Sequence, residues 1–174
     1  MNRSRSSSID HDSVSDAARE VLGSFGLSRG EDVALLDIPM HGNVGDSLIT
    51  LGEFQLLRSM GVRIVHCGSR RDALSSTFDR IPKGSTILLH GGGNLGDLWP
   101  QNQLYRLDVT ERAAPTNRVI WLPQSLHFSE SEELLHRTRV VLAKCRPLVL
   151  LRDQQSVDRW AGLFDTQAHL CPDM

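Results

Sequence analysis

Hydrophobic positions along the chain keep two rhythms that alternate from end to end. Short apolar runs fall at Val33–Ile38, Arg63–Cys67, Thr86–His90, Val119–Leu122, Leu148–Leu151 and Ala168–Cys171, each the length of a strand. Between them, apolar residues at helical spacing predict helices near Ser47–Met60, Ala73–Asp79, Gln101–Arg112, Ser129–Cys145 and Ser156–Phe164. Ala34-Leu35-Leu36 and Ile87-Leu88-Leu89 are continuous apolar runs, as suits strands buried on both faces. Strands alternating with crossover helices predict an α/β fold, a Rossmann-like parallel sheet with helices on both faces.

A lead-in helix is predicted before the first strand. Val14, Ala17, Ala18, Val21, Leu22 and Phe25 follow helical spacing, with Asp12 or Ser13 as cap and Gly26 as terminator. Residues 1–12 contain one large aliphatic, Ile9, too little apolar surface to offset their ordering entropy, and are expected to be a disordered tail. The expected organisation is thus a tail (1–12), a lead-in helix (13–30) and a Rossmann-like domain (31–174).

At 174 residues the chain suits a single core. Nineteen basic and 21 acidic side chains give a net charge of -2 with no basic stripe, which argues against a nucleic-acid partner. Three scattered cysteines, Cys67, Cys145 and Cys171, without a C-x-x-C pair or a secretory signal, fit reduced thiols in the cytoplasm. No apolar run approaches the roughly 20 residues of a membrane-spanning helix.

In sheets of this kind ligands bind beyond the carboxyl ends of the strands. After the first strand comes Pro39-Met40-His41-Gly42-Asn43-Val44-Gly45-Asp46; after the third comes Gly91-Gly92-Gly93-Asn94-Leu95-Gly96-Asp97-Leu98-Trp99. Both contain G-N-x-G-D, a recurrence whose chance frequency is about one in a few hundred. Glycines there permit positive φ and close backbone approach, and a following helix start offers N–H groups to a phosphate or carboxylate. The structural alternative is that Asp46 and Asp97 cap helices and the glycines turn the chain.

Gly91, Gly93 and Gly96 satisfy G-x-G-x-x-G, yet the run follows the third strand rather than the first. The next strand ends in Pro123-Gln124-Ser125 instead of an acidic residue, and Asp97 sits inside the loop. A carboxylate about 4 Å from a phosphate charge costs about 4 kcal/mol at an effective dielectric of 20. These features oppose a dinucleotide site, and the absence of Gly-Lys-Ser or Gly-Lys-Thr opposes a P-loop.

Histidines recur at strand ends: His41, His66, His90 and His127. With Asp46 and Asp97 they offer acid/base groups. No helix carries an H-x-x-x-H pair, so no metal site is expected; His66 also reads as a partly buried structural histidine. Gln124 and Ser125 suit sugar hydroxyls, and Arg152 suits an anion, although Arg152-Asp153 also reads as an ion pair beside a helix start or as a cap.

Three segments together resemble the polysaccharide pyruvyl transferases: Asp37–Asp46, Gly91–Trp99, and Trp121-Leu122-Pro123-Gln124-Ser125-Leu126-His127-Phe128. The resemblance runs over about residues 32–173, including Leu151-Arg152-Asp153, Ser156 and Pro172-Asp173. It implies transfer of a pyruvyl group from phosphoenolpyruvate to sugar hydroxyls as a ketal, in exopolysaccharide or cell-wall synthesis. It also implies one half of a glycosyltransferase type B fold, with the carboxyl-terminal half absent or supplied by self-association or another chain. Expected partners are phosphoenolpyruvate as donor substrate and a saccharide acceptor, free or lipid-linked, with no cofactor.

The catalytic expectation is Asp46, Asp97 and His90. Substrate contacts are expected from His41, Gly42, Asn43, Gly45, Gly91, Gly92, Gly93, Asn94, Gly96, Gln124, Ser125 and Arg152, with the Gly91–Gly93 amides near an anionic group. Two other readings stand beside this one: a saccharide-binding remnant without catalysis, and a type B glycosyltransferase using a nucleotide sugar.

Overall fold

The computed structural model describes residues 11–129 and 131–173. In chain order the elements are α1 (His11–Ser24), β1 (Asp32–Leu36), α2 (Val44–Met60), β2 (Arg63–Cys67), α3 (Leu74–Phe78), β3 (Thr86–Leu89) and β4 (Gly92–Gly96). Then come α4 (Pro100–Ala113), β5 (Arg118–His127), α5 (Glu132–Cys145), β6 (Leu148–Leu151), α6 (Gln154–Leu163) and β7 (His169–Leu170). The expected tail lies outside the described residues as far as residue 10. Helix α1 already includes His11, so Asp12 and Ser13, expected as caps, lie within it.

The strands form one parallel sheet in the order β2-β1-β3-β5-β6-β7, with β4 also paired to β5. This is the doubly wound, Rossmann-like architecture that the alternating rhythms predict. Side chains of each central strand alternate between two cores. Val33, Leu35, Leu88, Ile120, Leu122 and Leu150 pack with Ala18 and Leu22 of α1 and Leu56 and Leu57 of α2. Ala34, Leu36, Ile87, Leu89, Trp121 and Leu151 pack on the other face with Leu107 of α4, Leu134 and Val141 of α5 and Trp160 of α6. Continuous apolar runs are what two covered faces demand.

One strand departs from the expected pattern. Where a glycine loop was expected, residues Gly92–Gly96 form β4, a seventh strand parallel to the distal part of β5. Strand β3 pairs along Arg118–Trp121 and β4 continues along Gln124–His127, so the two are successive pieces of one line broken at His90-Gly91. β5 is correspondingly ten residues long and does not stop at Leu122. Its polar Pro123-Gln124-Ser125 stretch stays in the strand because Gln124 is fully buried and donates to the His90 carbonyl. The β5–β6 register slips between Trp121 and Gln124, at the proline that has no N–H to give the ladder.

Gly96 makes the β4–β5 approach possible. Its φ is +117°, and a Cβ there would lie 1.7 Å from the His127 carbonyl oxygen. Gly96→Ala is expected to lower stability by at least about 3 kcal/mol. A urea titration followed by far-UV circular dichroism checks this, and an unchanged midpoint would contradict the close approach.

Candidate active site

After β1 the chain passes outward to β2, then returns to place β3 on the other side of β1. Such a reversal leaves a crevice between the carboxyl ends of the two strands. A cleft of about 500 Å3 opens there, lined by Asp37 after β1, His41, Asn43 and Asp46 at the start of α2, and His90, Gly93 and Asn94 at the β3–β4 break. Ser69, Arg70 and Arg71 close another side, with Trp99 and Asn102 from the start of α4.

The innermost group is His90, 1% exposed. Its Nδ1 lies 2.7 Å from Glu53 Oε2, while Glu53 Oε1 accepts the Gly91 N–H at 2.8 Å. Glu53 is fully buried, so its two oxygens meet two adjacent residues of the break. The other ring nitrogen, His90 Nε2, is buried and has no hydrogen-bond partner. Burial opposes charge on His90, but the bond to Glu53 and the charges of Glu53, Asp37 and Asp46 outweigh it and hold the imidazolium above its ordinary range.

Beside it lies a second buried pair. Asp37 sits at φ +66°, a left-handed conformation that a non-glycine residue adopts at a cost, and is 4% exposed. Its carboxylate stands 3.7 Å from the fully buried Arg106, and its Oδ2 has no hydrogen-bond partner. Burial pushes the Asp37 carboxyl up, against the pull of Arg106. Arg106 also donates to Asn94 Oδ1 at 2.7 Å and to Gln103 Oε1 at 3.1 Å, so one cation fixes Asp37 and Asn94 together.

The first G-N-x-G-D is a helix start. Asn43 caps α2 by accepting the Gly45 N–H at 3.0 Å, and its amide donates to Asp46 Oδ2 at 2.9 Å. His41 Nε2 approaches the same oxygen at 3.5 Å. Asp46 stands in the first turn, where the helix dipole favours its charge. Neither Gly42 nor Gly45 has a positive φ; Gly96 of the second motif does, as does Gly92 just before it.

The second G-N-x-G-D is built differently. Its glycines run into β4, and α4 starts only at Pro100 with Trp99 in the cap position. The Gly91 N–H, expected to face an anion, is bound to Glu53. Asp97 points away from the cleft's lining and accepts the N–H groups of Ser129 and Ser131 at 2.9 and 3.0 Å, organising the loop before α5.

Of the predicted residues, His41, Asn43, Asp46, His90, Gly93 and Asn94 therefore meet at one cleft. Gln124 lies beneath it, bonded to the His90 carbonyl. Ser125, Arg152 and Asp153 form a separate cluster: Arg152 Nε donates to Ser125 Oγ and its Nη1 pairs with Asp173, while Ser125 donates to Asp153. Asp153 caps α6 through the Ser156 N–H, as the structural reading allowed. Arg152 Nη2 comes close behind Gly93. His66 and His127 are not among the lining residues. Among the described residues no group of three His, Cys, Asp or Glu side chains is arranged to hold a metal.

Glu53, Arg106 and the Ser69–Arg71 turn are the residues sequence reasoning missed. Glu53 sits seven positions after Asp46 on the same face of α2, and an acidic residue facing an otherwise apolar interior was the available signal. Arg106 in α4 carries a similar one.

Residues 43–174 match the family described as polysaccharide pyruvyl transferase. The chain is similar to Pyruvyl transferase 1 of Schizosaccharomyces pombe, 34% identical over 131 residues, which is 71% of this chain and 32% of that protein. It is also similar to Putative pyruvyl transferase EpsO of Bacillus subtilis strain 168, 28% identical over 153 residues, 85% of this chain and 45% of that protein. The chain thus spans between about a third and a half of the length of these relatives. The matched stretch starts at Asn43, so Asp37 precedes it.

Two outcomes follow from this geometry. Asp97→Ala removes an ionised acceptor of two backbone N–H groups and is expected to cost about 1.5–3 kcal/mol in urea denaturation. A group whose folded pKa is raised stabilises fully below its unfolded value and loses that contribution as pH climbs through the folded one. For His90 the unfolded value is near 6.5. The stability advantage of the native chain over His90→Gln should therefore be largest below that pH and shrink above it, as paired urea titrations would show.

Proposed function

This chain belongs to the polysaccharide pyruvyl transferase family, and from that premise we propose that its cleft takes part in moving a pyruvyl group from phosphoenolpyruvate to saccharide hydroxyls. The product is a cyclic ketal on a surface polysaccharide or its precursor. The observation that carries this reading is the buried imidazole of His90, whose Nε2 has no partner and which lines a cleft shared with Asn43, Asp46 and Asn94.

The reaction needs a proton delivered to the enol carbon, attack by one sugar hydroxyl on the carbon bearing phosphate, and departure of phosphate as the second hydroxyl closes the ring. The first hydroxyl proton balances the one placed on the methylene; the second leaves with phosphate. His90, held above its ordinary pKa, keeps a proton available near neutral pH and takes one back from a hydroxyl. Asp46, half-exposed at the rim, accepts a hydroxyl hydrogen bond, and Asn43 and Asn94 orient the sugar ring. Arg70 and Arg71, exposed on the wall opposite, face the donor's phosphate and carboxylate.

Around the mouth, Met40, Leu98 and Trp99 are exposed apolar surface that a second copy or a further half of the enzyme would cover. The three cysteines are unpaired, in keeping with a cytoplasmic setting, and among the described residues no helix is long and apolar enough to cross a membrane.

Phosphate release and mass gain on a panel of free and lipid-linked glycosides, with phosphoenolpyruvate as donor, test the proposal. The assay is run on this chain and on the chain with any coding sequence that follows it. Asp46→Asn and His90→Gln are expected to lower turnover by about 10²-fold or more, and Asp97→Asn to leave turnover per folded molecule near that of the unaltered chain. Donor-independent transfer, or transfer only from a nucleotide sugar, would overturn the reading.

A further inference from the structure

We infer that Glu53 is a positioning residue that fixes the tautomer and direction of His90, so that an unprotonated Nε2 lone pair faces the cleft whenever the imidazole is neutral. The catalytic consequence rests on the proposed pyruvyl transfer; the positioning itself does not.

The argument is one of donor and acceptor counting. An ionised carboxylate only accepts. Glu53 Oε1 is engaged by the Gly91 N–H, which pins the chain at the β3–β4 break. Glu53 Oε2 is 2.7 Å from His90 Nδ1, so Nδ1 must carry a hydrogen in either protonation state. The single hydrogen of neutral His90 is therefore placed on the Glu53 side, and Nε2 is left as the acceptor. That atom is buried and without a partner, so nothing in the protein competes for it. His90 lines the cleft and Glu53 does not, so the free nitrogen is what the imidazole offers to a ligand.

Asp46 and Glu53 share a face of α2, yet their surroundings separate their roles. Asp46 retains solvent contact at 26% side-chain exposure, and Glu53 has none. Glu53 never reaches the cleft's lining and acts on a substrate only through His90. The other charges that bear on His90 are Asp46 on α2 and Asp37 after β1, the latter paired with Arg106 of α4.

Glu53→Gln isolates the role with little change in volume. A glutamine carries one acceptor oxygen and one NH2, so it cannot accept from Gly91 and from Nδ1 in the same geometry. If its oxygen stays on Gly91, its NH2 faces Nδ1 and drives neutral His90 to the opposite tautomer, with the hydrogen on Nε2.

The experiment is long-range ¹H–¹⁵N NMR of the full chain labelled at histidine, titrated over pH, for the unaltered protein and Glu53→Gln. The unaltered chain should show neutral His90 protonated at Nδ1. The variant should show protonation at Nε2 and a titration midpoint lower by about one pH unit or more. In the transfer assay, the limb of the kcat profile that depends on His90 should move by the same amount, with the saccharide KM within about twofold.

An Nε2–H tautomer in the unaltered chain overturns the inference, and this reading stands even if the variant does not fold. So does a folded Glu53→Gln whose His90 tautomer and midpoint are unchanged, or whose transfer profile does not move. Tautomer and midpoint shifting as expected while neither protein, alone or with any coding sequence that follows, releases phosphate from phosphoenolpyruvate would support the positioning role and reject pyruvyl transfer.

Discussion

A carboxylate sealed from water can persist only where its lone pairs are engaged, because stripping its hydration costs several kcal/mol. Glu53 meets that condition with two donors from consecutive residues, and the geometry of those donors is the geometry of the cleft. The imidazole nitrogen comes from the residue that follows β3; the backbone N–H comes from the next. If the strand ran on without interruption, successive side chains would alternate across the sheet and these two groups would not converge on one carboxylate. The break, the buried acid and the poised histidine are therefore one feature.

Around this centre the fold places a second buried charge pair. Arg106, fully enclosed, holds Asp37 and Asn94 on either side of the crevice and stacks over Trp121 of the central strand at 5.7 Å. The segment after β1 and strand β4 are thus tied through one residue of α4. Asp37 endures a left-handed backbone there, lines the cleft, and leaves Oδ2 ion-paired with Arg106 but without a hydrogen bond. Strain and a buried acceptor oxygen without a hydrogen bond at one residue mark a position shaped by more than packing.

The sheet was legible because its strands are apolar on both faces and its helices are amphipathic, two periods that local sequence displays openly. What escaped was the stretch Gly92–Gly96 and the polar half of β5. Glycine, asparagine and glutamine belong to strands there only because Gln124 finds the His90 carbonyl and Gly96 admits the His127 carbonyl, contacts across more than thirty residues. The cleft was half legible on the same grounds. His41, Asn43, Asp46 and Asn94 advertise themselves beside glycines, whereas Glu53 and Arg106 lie within helices whose surface charges look alike until burial distinguishes them. Arg152 and Ser125 stand at strand ends as anticipated but spend their hydrogen bonds on Asp153 and Asp173.

The two G-N-x-G-D segments share letters without sharing a structure, one being a capped helix start at the cleft and the other a strand whose aspartate braces a distant loop. Selection therefore reads identical words in two languages. Asn43 both caps α2 and lines the cleft, so a change in the first copy touches the helix start and the cleft together. The second copy divides its duties: Asn94 lines the cleft and is held by Arg106, whereas Asp97 braces the loop before α5. Were the proposed function lost, the constraint on Asn94 would relax while that on Asp97 stayed, so the two ends of one motif would diverge at different rates.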